Sequence, residues 1–340
     1  MTQLAIVQIS PVFLDKYKTI ESAVAMVDEA ASNGADLVVF TEAFIPGYPT
    51  WVWRLRPGGD WNVSEELHQR LLNNAVNVDS DDLLPLYEAA RKHNVTIVCG
   101  IEERDNKLSR STLYNTAIII GPDGSLLNKH RKLMPTNPER MVWGFGDASG
   151  LKVVESPAGR IGTLLCWENY MPLARYALYS QGVEIYIAPT YDSGDGWIGS
   201  LQHIAREGCC WVVGCGNLMK GSDIPDDFPD KSTLYPDADE WVNPGDSIVI
   251  APGGEIIAGP AEGETILVAD GTLEAVYAAK AVCDVAGHYS RPDIFHLYVD
   301  NQPIERVAFS SQTTVEASVH SEDSEKQREN PAAGSDNAET

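Results

Sequence analysis

The sequence is poor in basic residues. It holds 25 lysines and arginines against 49 acids, a formal net charge of −24 over 340 residues. Clustered cations are what neutralise nucleic-acid phosphates or dock on an anionic membrane surface, so this balance argues against both partners. The acidity itself reads most simply as solubility. Long hydrophobic runs are also missing, and no stretch approaches the roughly 20 apolar residues of a membrane-spanning helix. The opening MTQLAIVQISPVF has neither a basic n-region nor a small-residue cleavage site, so it does not read as a signal peptide. The cysteines are six (Cys99, Cys166, Cys209, Cys210, Cys215 and Cys283), with no disulfide-framework spacing. Most lie in apolar runs such as TIVCGI and CWVVGCG, which fits reduced, buried thiols in a cytoplasmic protein. No HExxH, paired CxxC or His-rich spacing occurs, so no catalytic metal is expected. Cys209, Cys210 and Cys215 lie in an apolar helix-to-strand setting, which favours packing over metal binding.

What is present suffices for a large core, since 44% of residues are hydrophobic. Strand-like and helix-like segments alternate through the first half. LAIVQIS is followed by a helical spacing over Tyr17–Asn33, then by ADLVVFTEAF as a buried strand. Ser80–His93 predicts a helix with Ser80 as N-cap, and VTIVCGIEE a further strand. Two hairpins interrupt the alternation, at NTAIIIGPDGSLLNKHRK and DSIVIAPGGEIIAGP, so layered α/β architecture with mixed sheets is expected. From about Ser310 the chain turns polar, and residues 311–340 hold seven acids and two bases. Such a segment cannot bury enough surface to offset its ordering entropy. The expected division is one domain over residues 1–309 and a disordered acidic tail over 310–340.

The most informative stretch is RIGTLLCWENYMPLARYALYSQG, Arg160–Gly182. Ile161–Leu165 is strand-like and Asn169–Ser180 has helical spacing, which places Cys166 at a strand-to-helix turn. A sulfur there projects from the sheet end toward backbone N–H groups and the positive end of a helix, both of which favour the thiolate. A small buried hydrophobe is the other common fate of a free cysteine, and position alone leaves both readings open. A nucleophile also needs a base and donors for the charge that develops. None of the seven histidines makes a convincing base. Glu42 follows the apolar run LVVF closely, and a charge there must be paired or functional. Lys129 sits on the second arm of the first hairpin. Strands that end on one sheet edge would let Glu42, Lys129 and Cys166 converge, and an ordinary ion pair at that edge is the competing reading.

FTEAFIPGYP, NKHRKLMPTNPERMVWGFGD and LLCWENYMPLARYA resemble the three signature segments of the nitrilase branch of the carbon–nitrogen hydrolase superfamily, in matching order and spacing. The similarity covers roughly the first 300 residues, extending to IAPTYD and GHYSRPDIFHLYV. The resemblance implies a four-layer α-β-β-α sandwich, a homodimer that builds into larger oligomers, spirals or filaments, and catalysis without a cofactor. It also implies a catalytic triad of Glu42 as base, Lys129 as electrostatic clamp and Cys166 as nucleophile. Glu139 matches a further carboxylate that positions the lysine.

Cys-Trp-Glu at 166–168 resembles nitrilases more than amidases, so a small organic nitrile is the expected substrate. A cyanide-degrading relative, or an aliphatic amidase or carbamoylase with the same triad, is the alternative. A catalytically silent filament-forming protein is the alternative of another class. Tyr48, Trp167 and Tyr191, with Trp51 and Trp53, are candidates for an apolar slot around the nitrile's carbon side; packing and subunit contact compete for the same aromatics.

Overall fold

A computed structural model of the chain describes residues 1–304 apart from residue 108, together with residue 307. The acidic segment 310–340 lies outside the described residues. Two six-stranded sheets form the interior. The first contains β1 (Thr2–Gln8), β2 (Leu37–Phe40), β3 (Thr96–Arg104), β4 (Leu113–Ile120), β5 (Leu126–Arg131) and β14 (Thr265–Gly271), in the order β14-β1-β2-β3-β4-β5. The second contains β6 (Val154–Ser156), β7 (Gly159–Thr163), β8 (Ile185–Thr190), β9 (Trp211–Gly216), β12 (Ile248–Ile250) and β13 (Ile256–Ala258), in the order β13-β12-β9-β8-β7-β6. A small ribbon pairs β10 (Leu218–Lys220) with β11 (Trp241–Pro244). Parallel pairing runs through β1-β2-β3 and β7-β8-β9, and both expected hairpins form, as β4-β5 and β12-β13.

Alternation along the strands sorts side chains into layers. On β1, Leu4 and Ile6 face the other sheet and pack with Ile161, Ile187 and Val213. Ala5 and Val7 face outward against helix α1 (Lys16–Ser32), with α3 (Leu84–His93) covering the neighbouring strands. The outer face of the second sheet, through Tyr186, Ala188 and Val212, packs on α4 (Pro172–Tyr179) and α5 (Asp195–Gly208). Helix, sheet, sheet and helix therefore stack in the expected four-layer sandwich. Helices α2 (Trp61–Asn74), α6 (Lys231–Leu234) and α7 (Leu273–Val282) complete the chain.

Prolines set the departures from the sequence reading. The expected helix over Ser80–His93 begins only at Leu84, because Pro85 has no N–H to give and suits a first turn. Ser80 instead caps a short 3-10 turn, Asp81–Leu83, by accepting from the Asp82 N–H. Pro172 likewise starts α4, and a separate 3-10 turn, Cys166–Tyr170, fills the space after β7.

Just past the end of β2, the backbone of Thr41 to Ile45 lies against Gly100 of β3. Its N–H donates to the Thr41 carbonyl at 3.1 Å, and its carbonyl accepts from Ile45 at 3.2 Å. A β-carbon at this position would overlap the Thr41 carbonyl oxygen and lie 2.8 Å from the Glu42 Cα. Gly100→Ala is expected to lower stability by about 1–3 kcal/mol, as overpacking does. It should also displace Glu42; the denaturation midpoint and turnover measured together check this.

Candidate active site

Four strand ends deliver the site to the seam between the sheets. Glu42 follows β2, Lys132 follows β5, Cys166 follows β7 and Tyr191 follows β8. Asn217 ties the edge together, its Nδ2 donating to the carbonyls of Glu42 and Thr190 at 3.2 Å each. Thr41 Oγ1 donates across the seam to the Cys215 carbonyl at 2.8 Å.

Lys132 is the hub, and its side chain is wholly buried. Its Nζ donates to Glu42 Oε1 at 2.8 Å and to Glu139 Oε2 and Oε1 at 2.8 and 3.1 Å. Glu42 Oε1 also accepts from Asn115 Nδ2 at 2.7 Å, and Oε2 from the Tyr191 N–H at 2.8 Å. Glu139 accepts from Tyr48 Oη at 2.6 Å and from the Thr136 N–H at 2.5 Å. Burial works against the ammonium, but Glu42, Cys166 and Glu139 beside it hold Lys132 above the ordinary lysine range. Burial raises Glu42 above the ordinary carboxylate range; Lys132 opposes the shift and Glu139 adds to it. Burial, reinforced by Glu42 and opposed by Lys132, pushes the Cys166 thiol up to about 12. The resting sulfur is therefore protonated, contrary to the thiolate that its turn position alone suggests.

The structure brings Glu42, Glu139 and Cys166 together and leaves Lys129 out. Lys129 lies on the outer face of β5, about a third exposed, with Nζ on Glu103 Oε1 at 2.6 Å. Arg131 and Thr116 share that carboxylate. The reason is strand parity: Asn128, His130 and Lys132 point to the seam, while Lys129 and Arg131 point away. The lysine facing Glu42 is three residues further on.

Cys166 takes φ +50°, a left-handed conformation unusual for a residue with a side chain, at the sharp turn after β7. Glu168 holds that turn, accepting from the N–H groups of Leu165 at 2.7 Å and Leu133 at 2.6 Å. Its other neighbour is His130 Nε2 at 3.1 Å, in a fully buried pair. Despite burial, His130 and the two backbone donors keep Glu168 below the ordinary range. Asn169 adds a clasp, with Nδ2 on the carbonyls of Cys166 at 2.7 Å and Leu164 at 3.1 Å. His130 thus supports the Cys166 turn through Glu168, and Glu168 ties that turn to the segment that carries Lys132.

A cavity of 290 Å³ opens onto Cys166 and Glu139. Trp53, Tyr191 and Trp167 supply its aromatic lining. Trp53 and Tyr191 lie parallel, with ring centroids 6.3 Å apart, and Trp167 is half-exposed at the rim. Tyr48, expected among the substrate contacts, is buried behind this wall: it stacks on Tyr191 at 3.9 Å and reaches Glu139 with its hydroxyl. Trp51 is buried against Phe13 and Phe228, as core. No group of His, Cys, Asp and Glu suited to a metal occurs among the described residues.

Sequence reasoning missed Asn115, Lys132 and Glu102. Glu102 is fully buried on the inner face of β3, with Oε2 accepting from Trp143 Nε1 at 2.6 Å. Trp143 in turn packs edge-on against Tyr48, and Lys132 Nζ lies 5.7 Å from its ring centroid. Burial holds the Glu102 carboxyl well above the ordinary range. A carboxyl raised on folding is neutral in the folded protein where the unfolded chain would ionise it. Its stability contribution is therefore complete below the unfolded pKa and is lost as pH rises toward the folded value. Glu102→Gln keeps the indole acceptor and removes that loss. The variant should match the parent near pH 4 and gain on it by up to about 1.4 kcal/mol per pH unit above, as read from melting temperatures across pH.

The comparisons with known proteins fit this geometry. The carbon–nitrogen hydrolase family matches residues 3–281. Nitrilase 2 of Arabidopsis thaliana is 42% identical over 317 residues, covering 92% of each chain. An aliphatic nitrilase of Sinorhizobium fredii is 41% identical, over 88% of this chain and 96% of its own. A bifunctional nitrilase/nitrile hydratase of Lupinus angustifolius is 41% identical, over 91% and 89%. Among solved structures, Saccharomyces cerevisiae Nit3, a member of branch 10 of the nitrilase superfamily, shares the fold with a TM-score of 0.65 at 23% identity, over 85% of this chain and 96% of its own. The matched family and the length of the similarity lead to one statement: the chain belongs to the carbon–nitrogen hydrolase family.

Proposed function

We propose that this protein is a nitrilase, converting a small organic nitrile to its carboxylic acid and ammonia, with Glu42, Lys132 and Cys166 as the catalytic residues and Glu139 as the group that positions Lys132. The observation that carries the reading is a buried thiol beside a carboxylate–ammonium–carboxylate cluster, open to a 290 Å³ cavity, in a chain about 41% identical to nitrilases. Glu42 takes the Cys166 proton as sulfur attacks the nitrile carbon, forming a C–S bond and breaking one C–N π bond. Glu42 passes that proton to the nitrogen, giving a thioimidate and leaving the carboxylate ionised again. A water activated by Glu42 adds to its carbon, and Lys132 stabilises the charge of the tetrahedral intermediate. Expulsion of ammonia leaves a thioester, which a second water cleaves to the acid and the free thiol. Expulsion of sulfur in place of ammonia gives the amide, which matches the dual name of the lupin relative. An amidase, carbamoylase or cyanide-degrading enzyme could use the same residues, and product analysis separates them.

The site's completeness speaks against a catalytically silent assembly protein. Self-association of an active enzyme is part of the proposal, supported by the apolar side chains of Tyr170, Met171 and Leu173 that α4 and its approach leave exposed. The six free cysteines support a cytoplasmic setting.

The decisive assay is ammonia and acid release across aliphatic, aryl and arylaceto nitriles, cyanide and the matching amides. Inertness toward every nitrile with turnover of amides would overturn the proposal. Lys132→Ala should cost about 10²–10³ in kcat, as loss of a charge-stabilising donor does. Lys129→Ala should stay within severalfold of the parent, and the reverse pattern would return the role to Lys129. Glu42 acts only when ionised, and its pKa is raised, so kcat/KM should fall on acidification through a limb above 4.5. A pH–rate profile places that limb.

A further inference from the structure

The cavity's charge is one-sided. Among its lining residues are Trp53, Trp167, Tyr191, Asp192 and Asn243, and none of the lining residues is a lysine or arginine. Lys132 stands behind Glu42 and Glu139, which take its Nζ contacts. Asp192 is different. Its Oδ2 accepts from Trp167 Nε1 at 2.7 Å and its Oδ1 from the Ser193 N–H at 2.9 Å, both neutral donors. No cation pairs with it among the described residues. The next cation along the wall, Arg54, is held by Glu240 at 2.7 Å and lines a different pocket.

Resting on the nitrilase reading, we infer that this site selects nitriles with a flat apolar body and a neutral or cationic far end, and turns away those that carry a carboxylate there. Trp53, Tyr191 and Trp167 give the cavity an aromatic lining that suits a flat apolar body, and buried Cys166 lies at its inner end. The Trp167–Asp192 pair stands at the rim, where the far end of a longer substrate emerges. An ammonium there meets the Asp192 carboxylate, which attracts it. A carboxylate there meets an uncompensated like charge in a half-buried setting, in a protein of net charge −24. This selection differs from sorting nitriles by chain type, because it separates substrates of one shape by charge alone.

The test uses three para-substituted phenylacetonitriles: 4-(aminomethyl), 4-ethyl and 4-carboxy. The ammonium and ethyl compounds should each exceed the carboxylate by about tenfold or more in kcat/KM at low ionic strength. Tenfold corresponds to about 1.4 kcal/mol of differential transition-state binding. The gap should narrow severalfold in Asp192→Asn. It should also narrow with added salt in the parent protein, a measurement that does not depend on the variant folding. Affinities of the three nitriles for Cys166→Ala, by calorimetry, should fall in the same order without any chemistry. A carboxylate substrate as good as its ethyl isostere, or a ratio that neither salt nor Asp192→Asn moves, overturns the inference. So does failure of all three while propionitrile is hydrolysed. Inertness toward propionitrile and every other nitrile overturns the nitrilase reading itself.

Discussion

One ammonium and two carboxylates, all shut away from water, set the terms for the whole molecule. Lys132 bonds Glu42 and Glu139 where its side chain has no exposure, and leaving any one of the three uncompensated would cost about 3–5 kcal/mol. The surrounding fold exists in part to supply the remaining donors: Asn115 from β4, the Tyr191 backbone after β8, the Tyr48 hydroxyl and the Thr136 N–H. These come from both sheets, so the cluster is satisfied only when the sheets meet in the observed register. Packing between the sheets and the chemistry at their edge are thus a single constraint.

That constraint also sets the state of the Cys166 thiol. A buried thiol beside carboxylates is not a standing thiolate, since burial and Glu42 outweigh Lys132. The turn position and a helix N-terminus argue the other way in the sequence, and here the short 3-10 turn after Cys166 replaces the long helix that the argument assumed. In the proposed reaction proton removal must therefore accompany attack, which suits Glu42, whose own affinity for a proton is raised by the same burial. A base and an acid brought toward each other in this way need no histidine between them.

The strands, both hairpins and the layer order were legible because period-two apolar runs and turn residues carry them locally. The convergence of Glu42, Glu139 and Cys166 was legible because each sits in a distinctive flanking motif. Lys129 was expected beside Glu42 for lack of one bit of information, the face of β5 that meets the other sheet. In NKHRK every second residue is cationic or polar on either parity, so the pattern itself does not name the inner face. Only the pairing of β5 with β4, which sets Lys132 beside Asn115, does so. Glu102 and Asn115 lay further from reach, since a glutamate or asparagine in a strand says nothing of its partner 41 or 73 residues away.

The Cys-Trp-Glu motif takes on a different meaning once its third member is placed. Glu168 touches two backbone amides and His130, and it does not line the cavity. Its work is to hold the left-handed turn of Cys166 against the segment that carries Lys132. A carboxylate so employed cannot tell a nitrile from an amide by contact, so it bears on the reaction only through the positions of sulfur and ammonium. Trp167, by contrast, stands at the rim with Asp192 and meets what the substrate carries beyond its reacting carbon. In the proposed reaction one motif therefore divides its labour: the cysteine attacks, the glutamate sets the angle of attack, and the tryptophan faces the incoming molecule.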